Sequence, residues 1–338
     1  MKRILITGDS LSYNRYDYDD TPRLNAWDCY IGMESWSFRL RNHFITSAPG
    51  FRYGDELEFD TKTTKGIESD NAIFGERVVT AIPENGEIRF KVKSDNGKIA
   101  LYLQTHPEQY CRFNIYADGI KVAENIDTFG SPYSFMGYSL ITLEFTCDKD
   151  RTYHDIVFSD FEKCEKNPMV TVAGASTQAV YADLSGQGSR TSEFLLYHFE
   201  ERIAKYSPEL LILILGGNDF LFFDEDEYRE NLDKLFGKIK TRFPECKILT
   251  LTTPPGKTSE RFSDCKTDEE FNIRYTDKFN SVMKEITGKY NGKCIDTKEI
   301  FKNIPESVWR YDNIHMTRKG NDVLYDYMKH LFDKNTNI

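Results

Sequence analysis

Short continuous apolar runs alternate with helical-period stretches at both ends of this chain, whereas the middle is built of short alternating runs. From residue 1 to 50 and again from 175 to 338, the pattern predicts βα units around a parallel sheet, because strands buried on both faces read as unbroken apolar segments. The inner strands are Arg3-Ile4-Leu5-Ile6-Thr7, Leu210 to Leu215, Lys247 to Thr253 and the shorter Cys294-Ile295-Asp296. Between them, Glu193 to Tyr206 sets Phe194, Leu195, Phe199 and Ile203 on one helical face, and Glu227 to Phe243 does the same with Tyr228, Leu232, Leu235, Phe236 and Ile239. Thr267-Asp268-Glu269-Glu270 has the form of a capping box opening a helix through Phe271, Phe279 and Ile286. A last helix is predicted from near Thr317, burying Val323, Leu324, Tyr327 and Leu331.

Residues 51 to 174 carry no helical period. Ile88 to Lys93, Ile99 to Leu103, Leu140 to Phe145 and Tyr153 to Phe158 alternate or nearly so. Phe113 to Tyr116 and Ile120 to Val122, joined through Asp118-Gly119, predict a hairpin whose turn needs positive φ. The chain therefore divides into a discontinuous α/β domain, 1–50 with 175–338, and an inserted all-β sandwich, 51–174. At 338 residues it is long enough for two such parts.

Charge narrows the partners. A formal net charge of -10, without a dense run of Lys and Arg, argues against nucleic acid, whose phosphates need a basic face. No stretch has the length of a membrane-spanning helix, and the apolar start at Ile4 stops too soon for a signal peptide. Seven scattered cysteines, an odd count without a Cys-x-x-Cys pair, read as reduced thiols and so point to a cytoplasmic location. Neither cofactor nor metal is expected: Asp17-Tyr18-Asp19-Asp20 lacks the spacing and glycine of a calcium loop, and no dinucleotide fingerprint or Walker motif occurs. Composition leaves the oligomeric state open.

Four blocks carry chemistry. Gly8-Asp9-Ser10-Leu11-Ser12 follows the first strand and delivers a serine at its C-terminal end, where open α/β sheets place their sites. Ser185-Gly186 follows, then Gly216-Gly217-Asn218-Asp219 after the strand ending at Leu215, and finally Asp312-Asn313-Ile314-His315. Ser10 needs a base to become a nucleophile, and His315 is the histidine with a carboxylate, Asp312, three residues earlier to fix its tautomer. The backbone N–H groups of Ser10 and Gly186 and the carboxamide of Asn218 are the candidate oxyanion donors. Each block alone is ordinary loop chemistry, and the ordered set is what points to an esterase. Asp9 is expected to support the loop rather than react.

The four blocks, in this order, resemble the SGNH hydrolases, or GDSL esterase/lipase family, whose name lists the residues matching Ser10, Gly186, Asn218 and His315. The resemblance implies a flavodoxin-like three-layer parallel sheet, no metal, and hydrolysis of esters of lipids, acyl thioesters and acetylated sugars. Gly186 is chosen over Gly174 and Gly188 because it precedes a helix, as that family's second block does. Two departures stand out: about 120 residues of β character, similar to the jelly-roll module of some carbohydrate acetyl esterases, separate the serine block from the second block, and that module commonly precedes the serine block.

The long stretch from Leu11 to Met33 interleaves Tyr13, Tyr16 and Trp27 with aspartates, a mixture suited to stacking on sugar faces and accepting hydroxyl hydrogens. Tyr13, Tyr16, Trp27 and Asp219 are the candidate substrate contacts, with pinning of the loop as the alternative role for its aromatics. Pro254-Pro255-Gly256 is a candidate for the acyl pocket. The expected partner is a small-molecule or oligosaccharide ester, with neither nucleic acid nor membrane, and short acyl groups are favoured because no apolar lid is evident. Acyl transfer to a sugar hydroxyl and glycan binding without catalysis are the competing readings.

Overall fold

The computed structural model describes residues 3–12, 35–70, 77–105, 111–128, 140–162, 169–310 and 312–334, with the side chains of 66–70 outside that description. Its elements are β1 (Arg3–Gly8) and α1 (Trp36–Thr46); then β2 (Arg52–Tyr53), β3 (Glu58–Phe59), β4 (Thr64–Asp70), β5 (Val78–Pro83), β6 (Ile88–Lys93), β7 (Lys98–Gln104), β8 (Arg112–Ala117), β9 (Ile120–Asp127), β10 (Leu140–Thr146), β11 (Tyr153–Ser159) and β12 (Val170–Ser176). The chain continues through β13 (Tyr181–Leu184), α2 (Ser192–Tyr197), α3 (Phe199–Arg202), β14 (Leu210–Ile214), α4 (Glu225–Arg242), β15 (Lys247–Leu251), α5 (Asp268–Phe271), α6 (Asp277–Lys289), β16 (Lys293–Ile295), α7 (Thr297–Phe301), α8 (Glu306–Trp309) and α9 (Arg318–Lys334). Two compact units emerge, one of Met1–Arg41 with Ala182–Ile338 and one of Asn42–Tyr181.

The first unit is α/β. Its sheet runs β13-β1-β14-β15-β16, with β1, β14, β15 and β16 paired in parallel. Leu5, Leu211, Leu213 and Ile248 share a core with residues of α2, α3, α4 and α6. The alternate positions Ile4, Ile6, Ile212 and Ile214 are equally buried. Burial on both faces is why these strands are continuous apolar runs.

Helix α4 is opened by an Asp224 capping box, in which Asp224 Oδ1 accepts from Glu227 N–H and the Glu227 carboxylate accepts from Asp224 N–H. It buries the five residues that helical periodicity selects. The segment predicted as one helix from Glu193 to Tyr206 instead breaks at His198, where φ and ψ are -94 and 28, although Leu195, Phe199 and Ile203 still face the core. The Thr267 hydroxyl caps Glu270 N–H as expected, but the Glu270 carboxylate reaches Lys266 N–H. Beyond α5 the chain forms a π-turn at Asn272–Thr276, where the Asn272 carboxamide both donates to and accepts from Gly256. Helix α9 buries Gly320, Asn321, Leu324 and Met328 and leaves Tyr327 42% exposed, a face rotated from the predicted one. Close packing sets that rotation: a Cβ on Gly320 would lie 2.2 Å from Trp309 O, and Asn321 Oδ1 accepts from Trp36 N–H.

The second unit contains two sheets, β10-β7-β12-β5-β4 with β2 on β12, and β3-β6-β11-β8-β9, whose strands pair antiparallel among the described residues. Residues from both, among them Phe90, Phe113 and Phe158 on one and Leu101, Leu103 and Val172 on the other, form one core. The β8–β9 turn has φ of 51° at Asp118 and 82° at Gly119, as its Asp-Gly pair requires.

Candidate active site

The loop after β1 is forced into shape by crowding. Gly8 has φ of +142°, and a Cβ there would fall 1.9 Å from Ile214 O on the neighbouring strand, so only glycine fits. The chain then turns into a short 3-10 helix, Ser10–Ser12. Asp9 Oδ1 accepts from Leu11 N–H at 2.9 Å, and Asp9 O accepts from Ser12 N–H and from the Ser12 hydroxyl. Helix α1 holds the same loop from outside: Trp36 Nε1–H donates to Leu11 O at 2.8 Å, and the Ser37 hydroxyl donates to Ser12 O.

His315 Nε2 lies 2.8 Å from Ser10 Oγ, and His315 Nδ1 lies 2.7 Å from Asp312 Oδ2. Asp312 Oδ1 accepts from the backbone N–H groups of Ile314 and His315 at 2.9 and 2.7 Å. Burial opposes ionisation of this carboxyl, but the His315 ring and the two N–H groups outweigh it and hold Asp312 well below the usual carboxylate range. The loop bearing both residues is closed by an antiparallel bridge between Arg310 and Met316. From beneath, Lys257 N–H donates to Asn313 O at 2.7 Å and the Arg310 guanidinium donates to Pro255 O at 2.7 Å. Pro254-Pro255-Gly256 is thus engaged in bracing the histidine loop.

Gly186 follows β13, the strand beside β1; Gln187 N–H donates to Gly8 O at 3.0 Å, and a Cβ on Gly186 would strike Ser12 Oγ at 2.1 Å. Asn218 follows β14, and its Nδ2 donates one hydrogen to Arg190 O at 3.2 Å, leaving the second for another acceptor. Gly217 is wedged between the blocks: a Cβ there would lie 2.9 Å from Ile314 Cδ1 and 3.4 Å from Asp9 Oδ2. The structure therefore gathers Ser10, Asp312 and His315 into one hydrogen-bonded chain and brings the glycine and asparagine loops to the same sheet edge.

Asp219 is placed differently from the substrate contact expected of it. It is fully buried, and its Oδ1 accepts from Ser192 N–H and the Ser192 hydroxyl at 2.8 and 2.5 Å, so it ties α2 to the asparagine loop. Asp9 is fully buried as well, and one oxygen of each carboxyl, Asp9 Oδ2 and Asp219 Oδ2, has no hydrogen-bond partner among the described residues. Burial pushes Asp9 up to about 7, against the pull of Leu11 N–H and with help from Asp219, and pushes Asp219 up to about 6 against the pull of Ser192. Tyr13, Tyr16 and Trp27 lie outside the described residues. Sequence reasoning missed the bracing by Trp36, Arg310 and Asn321; the only available signal was a tryptophan and an arginine, each at the end of a helical pattern.

Residues 166–323 match the sequence model of the GDSL-like Lipase/Acylhydrolase family. The chain is similar to a GDSL esterase/lipase from Arabidopsis thaliana, 24% identical over 147 residues that cover 36% of this chain and 56% of that protein. It thus spans little more than half the length of that curated relative. Among solved structures, one of a peptidoglycan O-acetylesterase aligns over 99% of this chain and 91% of its own at 13% identity and a TM-score of 0.47. A Bacillus subtilis protein aligns over 83% and 91% at 11% identity and 0.39, and an acetylxylan esterase from Geobacillus stearothermophilus over 45% and 72% at 20% identity and 0.37. The matched region, 166–323, carries the glycine, asparagine and histidine blocks, and the serine block lies before it.

Proposed function

We propose that this protein is a serine esterase that removes short acyl groups, acetyl foremost, from a carbohydrate. The observation that carries the reading is the continuous path from Ser10 Oγ through His315 to Asp312, with links of 2.8 and 2.7 Å. Nδ1–H of His315 donates to Asp312, which leaves Nε2 as the acceptor of the Ser10 proton. Attack of Ser10 Oγ on the ester carbonyl forms the serine–carbon bond and moves the hydroxyl proton to Nε2; the imidazolium so formed is stabilised by the ionised Asp312. The Ser10 and Gly186 N–H groups and the second hydrogen of Asn218 Nδ2 receive the oxyanion. Collapse of the adduct breaks the bond to the alcohol, which leaves with the Nε2 proton. Water, deprotonated by His315, then releases the acid from Ser10.

The sugar as substrate rests on the aromatic and acidic composition of Leu11 to Met33, with Tyr13, Tyr16 and Trp27 as its stacking faces. Within the described residues no helix is long and apolar enough to cross a membrane. The second unit is read as a β-sandwich module inserted between the serine block and the rest of a flavodoxin-like domain.

Hydrolysis of nitrophenyl esters from acetyl to decanoyl, wild type against Ser10→Ala, tests the reading. Acetyl turnover that falls with chain length and disappears in the variant is the expected result. Turnover unchanged in the variant removes Ser10 as nucleophile. Acetylated saccharides then test the substrate, and the appearance of acylated acceptor when a free sugar is added would turn the hydrolase into a transferase.

A further inference from the structure

The second unit holds a cluster that the esterase reading leaves unused. Asp118 at the β8–β9 turn, Cys147 just after β10 and His154 on β11 present one ligand atom each, all within 4.8 Å of one another. His154 is fully buried. Its Nε2 lies 3.3 Å from Ser94 O and its Nδ1 2.7 Å from Asp118 Oδ2. Both ring nitrogens face oxygen atoms of the protein.

We infer that Asp118, Cys147 and His154 form a binding site for a thiophilic divalent cation of the zinc type. The donors are a thiolate, an imidazole and a carboxylate, the set that zinc takes, with a fourth position left to solvent. Tetrahedral zinc at its usual bond lengths holds such atoms about 3.3 to 3.6 Å apart. The present 2.7 Å between nitrogen and carboxylate oxygen, and the 4.8 Å that bounds the set, lie on either side of that separation. Small side-chain rotations therefore suffice.

The outer contacts are those a metal site needs. Nε2–H to Ser94 O leaves Nδ1 as the ligating nitrogen. The far oxygen of Asp118, Oδ1, accepts from Asp155 N–H at 3.1 Å and from the Arg151 guanidinium at 3.4 Å, which leaves Oδ2 turned to the cluster. Ser94 is fixed by its N–H to Thr152 O and its hydroxyl to Lys98 O, and Cys147 N–H donates to Gly97 O. Cys147 and its strand belong to one sheet of the unit, Asp118 and His154 to the other, so the ion would staple the two sheets together. Burial, with the Asp118 charge adding to it, pushes the Cys147 thiol up to about 11. Binding as the thiolate therefore releases the Cys147 proton to solvent.

The test is titration of metal-stripped full-length protein with Co²⁺, followed by Zn²⁺. A thiolate-to-cobalt charge-transfer band that saturates at one equivalent, is bleached by zinc and is absent from Cys147→Ser is the expected result. Asp118→Asn should keep the band and weaken cobalt binding about tenfold or more. Zinc at a hundredfold excess over Kd should raise the melting temperature of the wild type by roughly 5 to 10 °C and leave Cys147→Ser unmoved. Circular dichroism of Cys147→Ser checks that its fold is intact. No thiolate band in the wild type, or a band that survives in Cys147→Ser, would overturn the inference and leave Asp118 and His154 a plain hydrogen-bonded pair.

Discussion

Replacing Asp9 by Asn should stabilise the first unit in a way that grows with pH. Asp9 is wholly buried, one of its oxygens has no hydrogen-bond partner among the described residues, and Asp219 adds like charge nearby. Its carboxyl is pushed from the ordinary 3.8 up to about 7. The sign follows from linkage. A carboxyl raised in the folded state binds its proton more tightly there than in the unfolded chain, so its contribution is intact below the unfolded value and is lost as pH climbs toward the folded one. With those two values the loss is about half a kcal/mol at pH 4, about 3 kcal/mol at pH 6 and about 4 kcal/mol at pH 8. Asn at this position keeps the oxygen that accepts Leu11 N–H and carries no charge at any of these pH values. For a unit of this size 1 kcal/mol moves the melting temperature by about 2 to 4 °C, so the gap between variant and wild type should widen by on the order of 10 °C from pH 4 to pH 8. The widening is the signal, because any fixed cost of fitting an amide shifts both ends equally. Parallel melting curves for the two proteins across that range would refute the argument and place the charge of Asp9 outside it. Asp219→Asn should show the same trend more weakly, and because the two carboxyls interact, the double variant should gain less than the sum.

Asn218→Ala should lower kcat on nitrophenyl acetate by about 10² to 10³ with KM little changed; a change confined to KM would make Asn218 a ground-state contact instead. Gly8→Ala should abolish soluble folded protein, since the added methyl falls 1.9 Å from Ile214 O on a backbone with φ of +142°; a variant that melts with the wild type would show that β1 can shift. Trp36→Phe removes the indole donor to Leu11 O and should cost about 1 to 3 kcal/mol in thermal unfolding while lowering kcat more than it raises KM; an unchanged kcat would separate the serine loop from that contact. Asp312, held low by His315 and its own loop, contributes stability that is present above the ordinary carboxyl range and lost as pH falls through and below it. Asp312→Asn should therefore show a smaller drop in melting temperature between pH 5 and pH 3 than the wild type, and an equal drop would refute the assignment.

What the sequence displays is what local pattern can carry. Leu210 to Leu215 reads as an inner strand because every position of β14 is buried, and Asp118-Gly119 reads as a turn because few other pairs tolerate two positive φ angles. Ser10, Asp312 and His315 could be nominated because a nucleophile, an acid and a base stand at strand and helix ends. The seven residues of β12 are all buried, but small Ala173 and Gly174 interrupt the apolar run, and a register shift between Val172 and Gly174 removes any alternation. Helix α9 defeats a hydrophobicity reading because the residues that fix its rotation, Gly320 and Asn321, are small or polar. Nor could composition show that Asp9 and Asp219 are buried. Burial of a carboxylate is decided by neighbours distant in sequence, here the loops that follow β1 and β14.

Those neighbours also explain why the histidine loop can meet a serine some three hundred residues away. Parallel pairing of Gly8 with Ile214 sets the serine and asparagine loops side by side, and Gly217 then lies where any side chain would run into Asp9 and Ile314. On the other side, Trp36 joins the serine loop, through Leu11 O, to Asn321 at the start of α9, directly after the histidine loop. Ser10 and His315 are thus held by two independent connections, one through the sheet and one through α1. Asp9, the residue before the serine, sits on the first of them with one carboxyl oxygen unpaired among the described residues. A charge there presses on the turn that holds Ser10, so the same substitution that relieves the buried charge also reports how firmly the sheet alone holds the nucleophile. If Asp9→Asn raises stability at high pH and leaves kcat unchanged, the turn is fixed by Gly8 and the α1 contacts. If kcat moves with stability, the carboxyl is part of what sets the Ser10 to His315 distance.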